Sequence, residues 1–365
     1  MKLKLFFTAW LAAGQALAGC PWTSAEALFR LDSDRHDPER LLTYSEVTED
    51  VACTRLILEH FYAGQESVET SPVLRRLRAF TAPAQGIRAK ELLTTLFGFH
   101  QDVYDAHLGY ELGDLRAAYR PHAARLVTSA PELPEETVLA TSRSVYFKVG
   151  DMKGELTSAQ SQFIDLLKRH DGPVILDVRG NGGGDNDFAE AIARALHTPG
   201  ERIPQSRIEE VTSPFKLVGL LNHVRVAGYR DVEQFAEMVQ AQVRGKSVAE
   251  ILPFTWEIEE RALFGERPRA YTSELILLID GGCASACETI VEKLSLHPRV
   301  KTMGRPTAGA LHYSNAVLFE LPHSAIWVKI PTRREVLEND APEGVGYSPA
   351  LEVDHVVLND LGFSS

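Results

Sequence analysis

Leu275-Ile276-Leu277-Leu278-Ile279-Asp280-Gly281-Gly282-Cys283-Ala284-Ser285-Ala286-Cys287-Glu288 opens as an apolar run, stops at a glycine pair and restarts as a helical pattern. Five apolar residues bounded by glycines read as a buried strand, and 284–294 reads as the helix after it. Ser285 therefore falls where a strand hands over to a helix. A hydroxyl there lies beside the unpaired backbone N–H groups of the first helical turn. Those groups stabilise the oxyanion that forms when the hydroxyl attacks a carbonyl. The same position also suits a plain helix N-cap, the commonest use of serine at a helix start.

Val174-Ile175-Leu176-Asp177-Val178-Arg179-Gly180-Asn181-Gly182-Gly183-Gly184-Asp185 repeats the layout, with Phe188, Ile192 and Leu196 following at four-residue spacing. Glycines in such a turn let backbone N–H groups face outward and a ligand come close. Two strand–glycine–helix units can thus build one site. Nucleotide readings fail on the letters. A G-x-G-x-x-G begun at Gly180 meets Asp185 where its third glycine belongs, and no Gly-Lys-Ser/Thr follows. The hydrolase elbow G-x-S-x-G would need glycines where Cys283 and Cys287 stand.

The pair of motifs, Asp177 to Gly184 and then Asp280 to Glu288, resembles the C-terminal processing (tail-specific) peptidase family, over about residues 145–356 with an extension back to His107. The resemblance implies an α/β fold with a crotonase/ClpP-like core and Ser285 as nucleophile. It also implies that backbone N–H groups of Ala286 and of Gly182 or Gly183 hold the oxyanion. In the lysine-using branch the base sits in a Gly-Lys-Gly turn; here that turn is Gly309-Ala310-Leu311, which excludes a serine–lysine dyad. The histidine-using branch, related to the tricorn core and the interphotoreceptor retinoid-binding protein, resembles Asp105-Ala106-His107, with the histidine as general base. Ala106 stands where tricorn has a serine. The branch's carboxylate segment resembles Pro342-Glu343-Gly344-Val345-Gly346-Tyr347-Ser348-Pro349. The expected order is His107, Ser285, Glu343, with His312 as a rival base.

The chemistry of that order is coherent. A serine hydroxyl is a poor nucleophile at neutral pH, so a neutral imidazole takes its proton as it attacks, and a carboxylate steadies the imidazole. The reading is a serine peptidase acting on a peptide or protein without metal or cofactor. A non-catalytic binding protein on the same scaffold, like the retinoid-binding relatives, is the alternative, because fold alone does not separate the two. An acyl-CoA enzyme would leave Ser285 idle.

The 365 residues include 38 basic and 50 acidic side chains, for a formal charge of −12. That balance argues against nucleic acid as a partner. Lys2 and Lys4 precede an apolar 5–18 segment too short to span a bilayer, so 1–19 reads as an export signal. Two fates follow: cleavage after Ala18, or lipid attachment at Cys20, since Leu17-Ala18-Gly19-Cys20 resembles a bacterial lipoprotein signal. The mature chain is expected in the periplasm or secreted, touching a membrane only through such an anchor. Four cysteines, Cys20, Cys53, Cys283 and Cys287, leave three disulfide connectivities open. A Cys20–Cys53 bridge would compete with lipidation, and Cys283 and Cys287 read as small buried residues.

Outside the core, residues 20–130 read as an N-terminal helical cap, with helices at 45–62, 72–80 and 87–104 and an acidic linker at 131–136. The peptidase core is expected over 140–358, with a strand at 144–149, a helix at 158–169 and a strand at 300–304. A helical insertion at 199–268 interrupts it, with helical patterns at 215–224, 232–243 and 248–252. Residues 319–322 and 325–331 read as a hairpin. No stretch between Tyr110 and Val145 is long enough for a PDZ domain.

Overall fold

The computed structural model describes residues 19–29, 36–64, 72–100, 105–118, 136–140, 144–150, 152–203, 205–229, 232–260, 262–336 and 343–353. All of the expected export signal but Gly19, and all of the acidic linker but residue 136, lie outside them. The chain divides into two compact units. One gathers Met1–Tyr119, Ile208–Glu259 and Tyr313–Glu335, and the other Arg120–Arg207, Glu260–His312 and Val336–Ser365.

The second unit is built on a six-stranded sheet in the order Leu351–Glu352, Val300–Gly304, Leu275–Ile279, Val174–Asp177, Val145–Lys148, Thr137–Ala140. Every pairing is parallel except the last, which is antiparallel. Parallel strands buried on both faces need unbroken apolar runs, which the central ones supply. Leu275 pairs with Val174 and Leu278 with Asp177. That register ends both strands level, so the glycine turns after them emerge side by side. The sheet is accompanied by the helices Ser158–Leu167, Asp187–Leu196 and Ala286–Ser295. The first starts in a capping box, in which Thr157 Oγ1 accepts from the Gln160 N–H and the Thr157 N–H donates to Gln160 Oε1. Phe147 stacks on Phe163 at 4.5 Å and meets Phe188 edge-on at 5.9 Å. Each such ring contributes roughly 1.5–3 kcal/mol by leaving water.

The first unit mixes helices with an antiparallel sheet. Its path runs Thr255–Glu259, Arg207–Thr212, Trp327–Val336, Gly109–Leu112, Leu115–Ala118, and Tyr313–Glu320 pairs with Trp327–Val336 in a hairpin longer than the one expected over 319–322 and 325–331. Of the helix expected at 87–104, Ala89–Gly98 forms a helix, and 101–104 lie outside the described residues. Ile87–Arg88 is instead a short strand against Leu41–Leu42, and the helix gives way to a turn just past Gly98, where backbone entropy disfavours continuing. Three helices do form within 199–268, at Pro214–Val226, Val232–Val243 and Val248–Ile251. The antiparallel strands Arg207–Thr212 and Thr255–Glu259 that flank them escaped the sequence reading. Acidic Glu209, Glu210, Glu257 and Glu259 mask their alternation. The described residues between Tyr110 and Val145 form only short strands, with no PDZ domain among them.

Cys20 is bonded to Cys53, and Trp22 sits against Phe215 and Phe319, so the chain just after the expected export signal is part of the first unit's core. The bridge occupies the sulfur that a lipid anchor at Cys20 would need. Cys283 and Cys287 are buried as expected, but they are joined to each other rather than being two separate thiols. Replacing both partners of the first bridge, Cys20→Ala with Cys53→Ala, should lower unfolding free energy in urea by about 2–4 kcal/mol. An unchanged midpoint and slope would show that the bridge is not formed in solution.

Candidate active site

Ser285 has φ 57° and ψ −124°. A non-glycine residue there costs about 1–3 kcal/mol and persists only where its surroundings over-determine it. They do. The Cys283 N–H donates to the Asp280 carbonyl at 3.0 Å, the Ala284 N–H to the Asn181 carbonyl at 3.1 Å, and the Glu288 N–H to the Ser285 carbonyl at 2.7 Å. The helix begins immediately, at Ala286. Ser285 itself is half-buried, so its hydroxyl stands at a junction that solvent reaches.

The glycine loop lies directly against this turn. Gly183 has φ 90°, and a Cβ on it would stand 2.5 Å from the Ala284 carbonyl oxygen, 2.8 Å from the Ala286 nitrogen and 3.0 Å from Ser285 Cβ. Only glycine fits. A Cβ on Gly282 would likewise stand 2.7 Å from Gly180 Cα. Asp280 Oδ1 staples the two turns, accepting the N–H groups of Gly180 and Gly282, both at 2.9 Å. The Gly183 N–H, one of the expected oxyanion donors, is already engaged: it donates to Asn181 Oδ1 at 2.8 Å. The N–H groups of Gly182 and Ala286 make no hydrogen bond among the described residues.

Below the loop, burial would raise the Asp177 carboxyl, but Arg179 outweighs it through two hydrogen bonds, 2.9 and 2.6 Å, and holds the pKa below the usual range. Tyr146 Oη donates to the same carboxylate at 2.9 Å, and Lys148 Nζ to the Arg179 carbonyl at 2.9 Å. A buried pair earns its place when its remaining groups are also satisfied. Here the network fixes the strand end that launches the loop.

Two more carboxylates grip the segment after the Val300–Gly304 strand. Glu288 is fully buried and accepts from Thr307 Oγ1 at 2.6 Å, from the N–H groups of Gly309 and Ala310 at 2.7 Å each, and from the Ser285 N–H at 3.2 Å. Burial raises its pKa even against those donors. Glu343 Oε2 accepts the next two N–H groups, Leu311 at 3.0 Å and His312 at 2.9 Å. Glu343 is therefore connected to the Ser285 turn through the 307–312 segment. Among the described residues, no three His, Cys, Asp or Glu side chains gather as a metal would require.

His107 belongs to the first unit. Its N–H donates to Asp105 Oδ1 at 2.8 Å, and Tyr62 Oη donates to Asp105 Oδ2 at 3.0 Å. Asp105 thus fixes the backbone turn at His107 rather than its ring. Burial lifts the Asp105 carboxyl to about 6. Burial, helped by the positive Lys329 and by His223, lowers the His107 imidazole to about 3. The residue as a whole is half-buried, but ring Nδ1 is closed off from solvent. At neutral pH the ring is uncharged, the form a general base requires.

Residues 143–349 match the profile of peptidase family S41. The chain belongs to that family. It is a serine peptidase. Among solved structures the peptidase is similar to a peptidase candidate from Parabacteroides merdae, at 17% identity and TM-score 0.54 over 88% of this chain and 93% of that one, which supports the same fold. It also aligns with the photosystem II D1 C-terminal processing protease, at 17% identity and TM-score 0.37 over 61% of this chain and 49% of that one. Tricorn protease aligns at 10% identity and TM-score 0.41, over 85% of this chain and 34% of that one. No curated protein matches the chain.

Three residues of the peptidase's site escaped the sequence reading: Asn181, Asp280 and Glu288. Glu288 had a visible signal, an acid three residues past a serine at a helix start, the capping-box spacing. Asn181 and Asp280 had none beyond their place in the motifs: each also bonds two residues along its own turn, to Gly183 and Gly282, but their links to Gly150 and Gly180 cross to other segments. Gly183→Ala would force a Cβ into the Ser285 turn. It should cut labelling by a serine-directed fluorophosphonate at least about a hundredfold, the scale of losing an oxyanion contact. Gly182→Ala, whose Cβ meets nothing within 4 Å, should lose less. Equal losses would show that the Gly183 contact does not shape the site.

Proposed function

We propose that the peptidase cleaves peptide bonds through an acyl-enzyme on Ser285, with His107 as general base. The observation that carries this reading is the strained backbone of Ser285 at a strand–helix junction with the glycine loop pressed against it. His107 takes the hydroxyl proton as Ser285 Oγ attacks the carbonyl carbon. The N–H groups of Gly182 and Ala286 receive the oxyanion. As the C–N bond breaks, the imidazolium gives its proton to the departing amine. Water then attacks the acyl-enzyme by the same route in reverse, releasing the acid and restoring the serine.

Glu343 completes the expected order. Its hydrogen bonds to Leu311 and His312 support a positioning role, holding the segment that Glu288 ties to the nucleophile turn. Export belongs to the same reading, on the strength of residues 1–19. Two disulfides are consistent with an oxidising compartment, with cleavage after Ala18 leaving Cys20 free to pair. Substrates are peptides or proteins.

Fluorophosphonate labelling and casein cleavage should both vanish in Ser285→Ala. In His107→Ala they should fall by roughly a thousandfold or more, while His312→Ala retains most activity. If His312→Ala is the silent variant, the base is His312 and His107 is structural. The labelling rate of the wild type should be nearly flat from pH 7.5 to 5.5. A base falls silent only as pH drops through its own pKa, and burial has moved that of His107 to about 3. A base near the ordinary 6.5 would lose about tenfold over the same interval.

A further inference from the structure

The Cys283–Cys287 disulfide closes a ring around Ala284, Ser285 and Ala286. One sulfur sits in the glycine turn and the other in the first turn of the helix. Both residues are fully buried in the second unit's core. Cys287 Sγ lies 3.5 Å from the carbonyl oxygen of Val178, the residue that leads from the Val174–Asp177 strand into the glycine loop. The bridge therefore touches both halves of the candidate site. It also spans the one residue of the turn whose backbone is strained. The hydrogen bonds at Cys283, Ala284 and Glu288 can break and re-form as the turn breathes, whereas the covalent bond cannot.

We propose that the Cys283–Cys287 disulfide is a positioning element of the nucleophile turn. Closed, it keeps Ser285 at its strained dihedrals and the Ala286 N–H at the site. Opened by a dithiol, it lets the turn relax and the serine lose reactivity. Opening consumes one dithiol: two electrons and two protons pass to the cysteine sulfurs, giving two thiols and an oxidised, cyclic disulfide of the reductant. The Cys287 thiol then has a proton to donate to the Val178 carbonyl, a bond the disulfide sulfur cannot make. The proposal rests on the reading of Ser285 as nucleophile.

The test uses the full mature protein. Oxidised wild type, Cys283→Ala with Cys287→Ala, and Cys20→Ala with Cys53→Ala are compared for fluorophosphonate labelling, peptide kcat and KM, circular dichroism and Tm. The 283/287 variant should label at least about tenfold more slowly, with kcat reduced and KM nearly unchanged. The 20/53 variant should label within about twofold of wild type while losing Tm. A second arm treats wild type with dithiothreitol and follows labelling against alkylation of Cys283 and Cys287 by peptide mass. Labelling should fall as those thiols appear and return on reoxidation. This arm stands even if the 283/287 variant does not fold. Labelling that persists in the folded variant, or after both thiols are alkylated, overturns the positioning role and leaves the nucleophile intact. Oxidised wild type that does not label overturns the nucleophile reading and this proposal with it.

Discussion

Two glycine turns meet backbone to backbone in this peptidase, and everything else at the site depends on that approach. A Cβ at Gly282 would strike Gly180 Cα, and one at Gly183 would strike the Ser285 turn from three directions. Approach this close is open only to residues without side chains, and it brings main-chain N–H groups to the serine instead of side chains. The parallel register between Val174–Asp177 and Leu275–Ile279 delivers both turns to the same level, so the sheet sets the position and the glycines permit the contact.

Bringing polar backbone together in a half-buried place requires that its hydrogen bonds be satisfied. Carboxylates and one amide do this work here. Asp280 staples one turn to the other, Asn181 folds the glycine loop on itself, and Glu288 and Glu343 between them take four successive N–H groups, from Gly309 to His312. Among the described residues, the N–H groups of Gly182 and Ala286 at the turns make no hydrogen bond. A donor already bonded within the protein has little to offer a developing oxyanion, whereas an unengaged one facing the site is ready for it without reorganisation.

The histidine presents a different constraint. A buried imidazole stays neutral because charging it without water is costly, and His107 has both burial and a positive neighbour against its protonation. The ring therefore stays uncharged over a wide pH range, while the same burial weakens it as a proton acceptor. Asp105 contributes by fixing the main chain at His107, so the placement of the ring follows from the turn as much as from the side chain.

Local pattern was enough for much of the fold. The apolar runs 174–178 and 275–279, the glycines that end them and the helices that follow were legible because burial and dihedral preference act over a few neighbouring residues. The Val300–Gly304 strand was legible for the same reason, as was a hairpin turning between 319–322 and 325–331, although its strands run on to Tyr313 and Val336. The strands Arg207–Thr212 and Thr255–Glu259 were not, since their acidic residues hide the alternation and pairing with each other is what makes them strands. By itself the sequence determined that two strand–glycine–helix units exist, that Ser285 opens a helix and that no lysine follows in the Gly309 turn. Only the tertiary structure decided which N–H groups are engaged, which cysteines pair, what Glu288 and Glu343 hold, and that His107 Nδ1 is closed off from solvent. Those outcomes rest on distances between residues far apart in the chain, and no local periodicity encodes a distance across a fold.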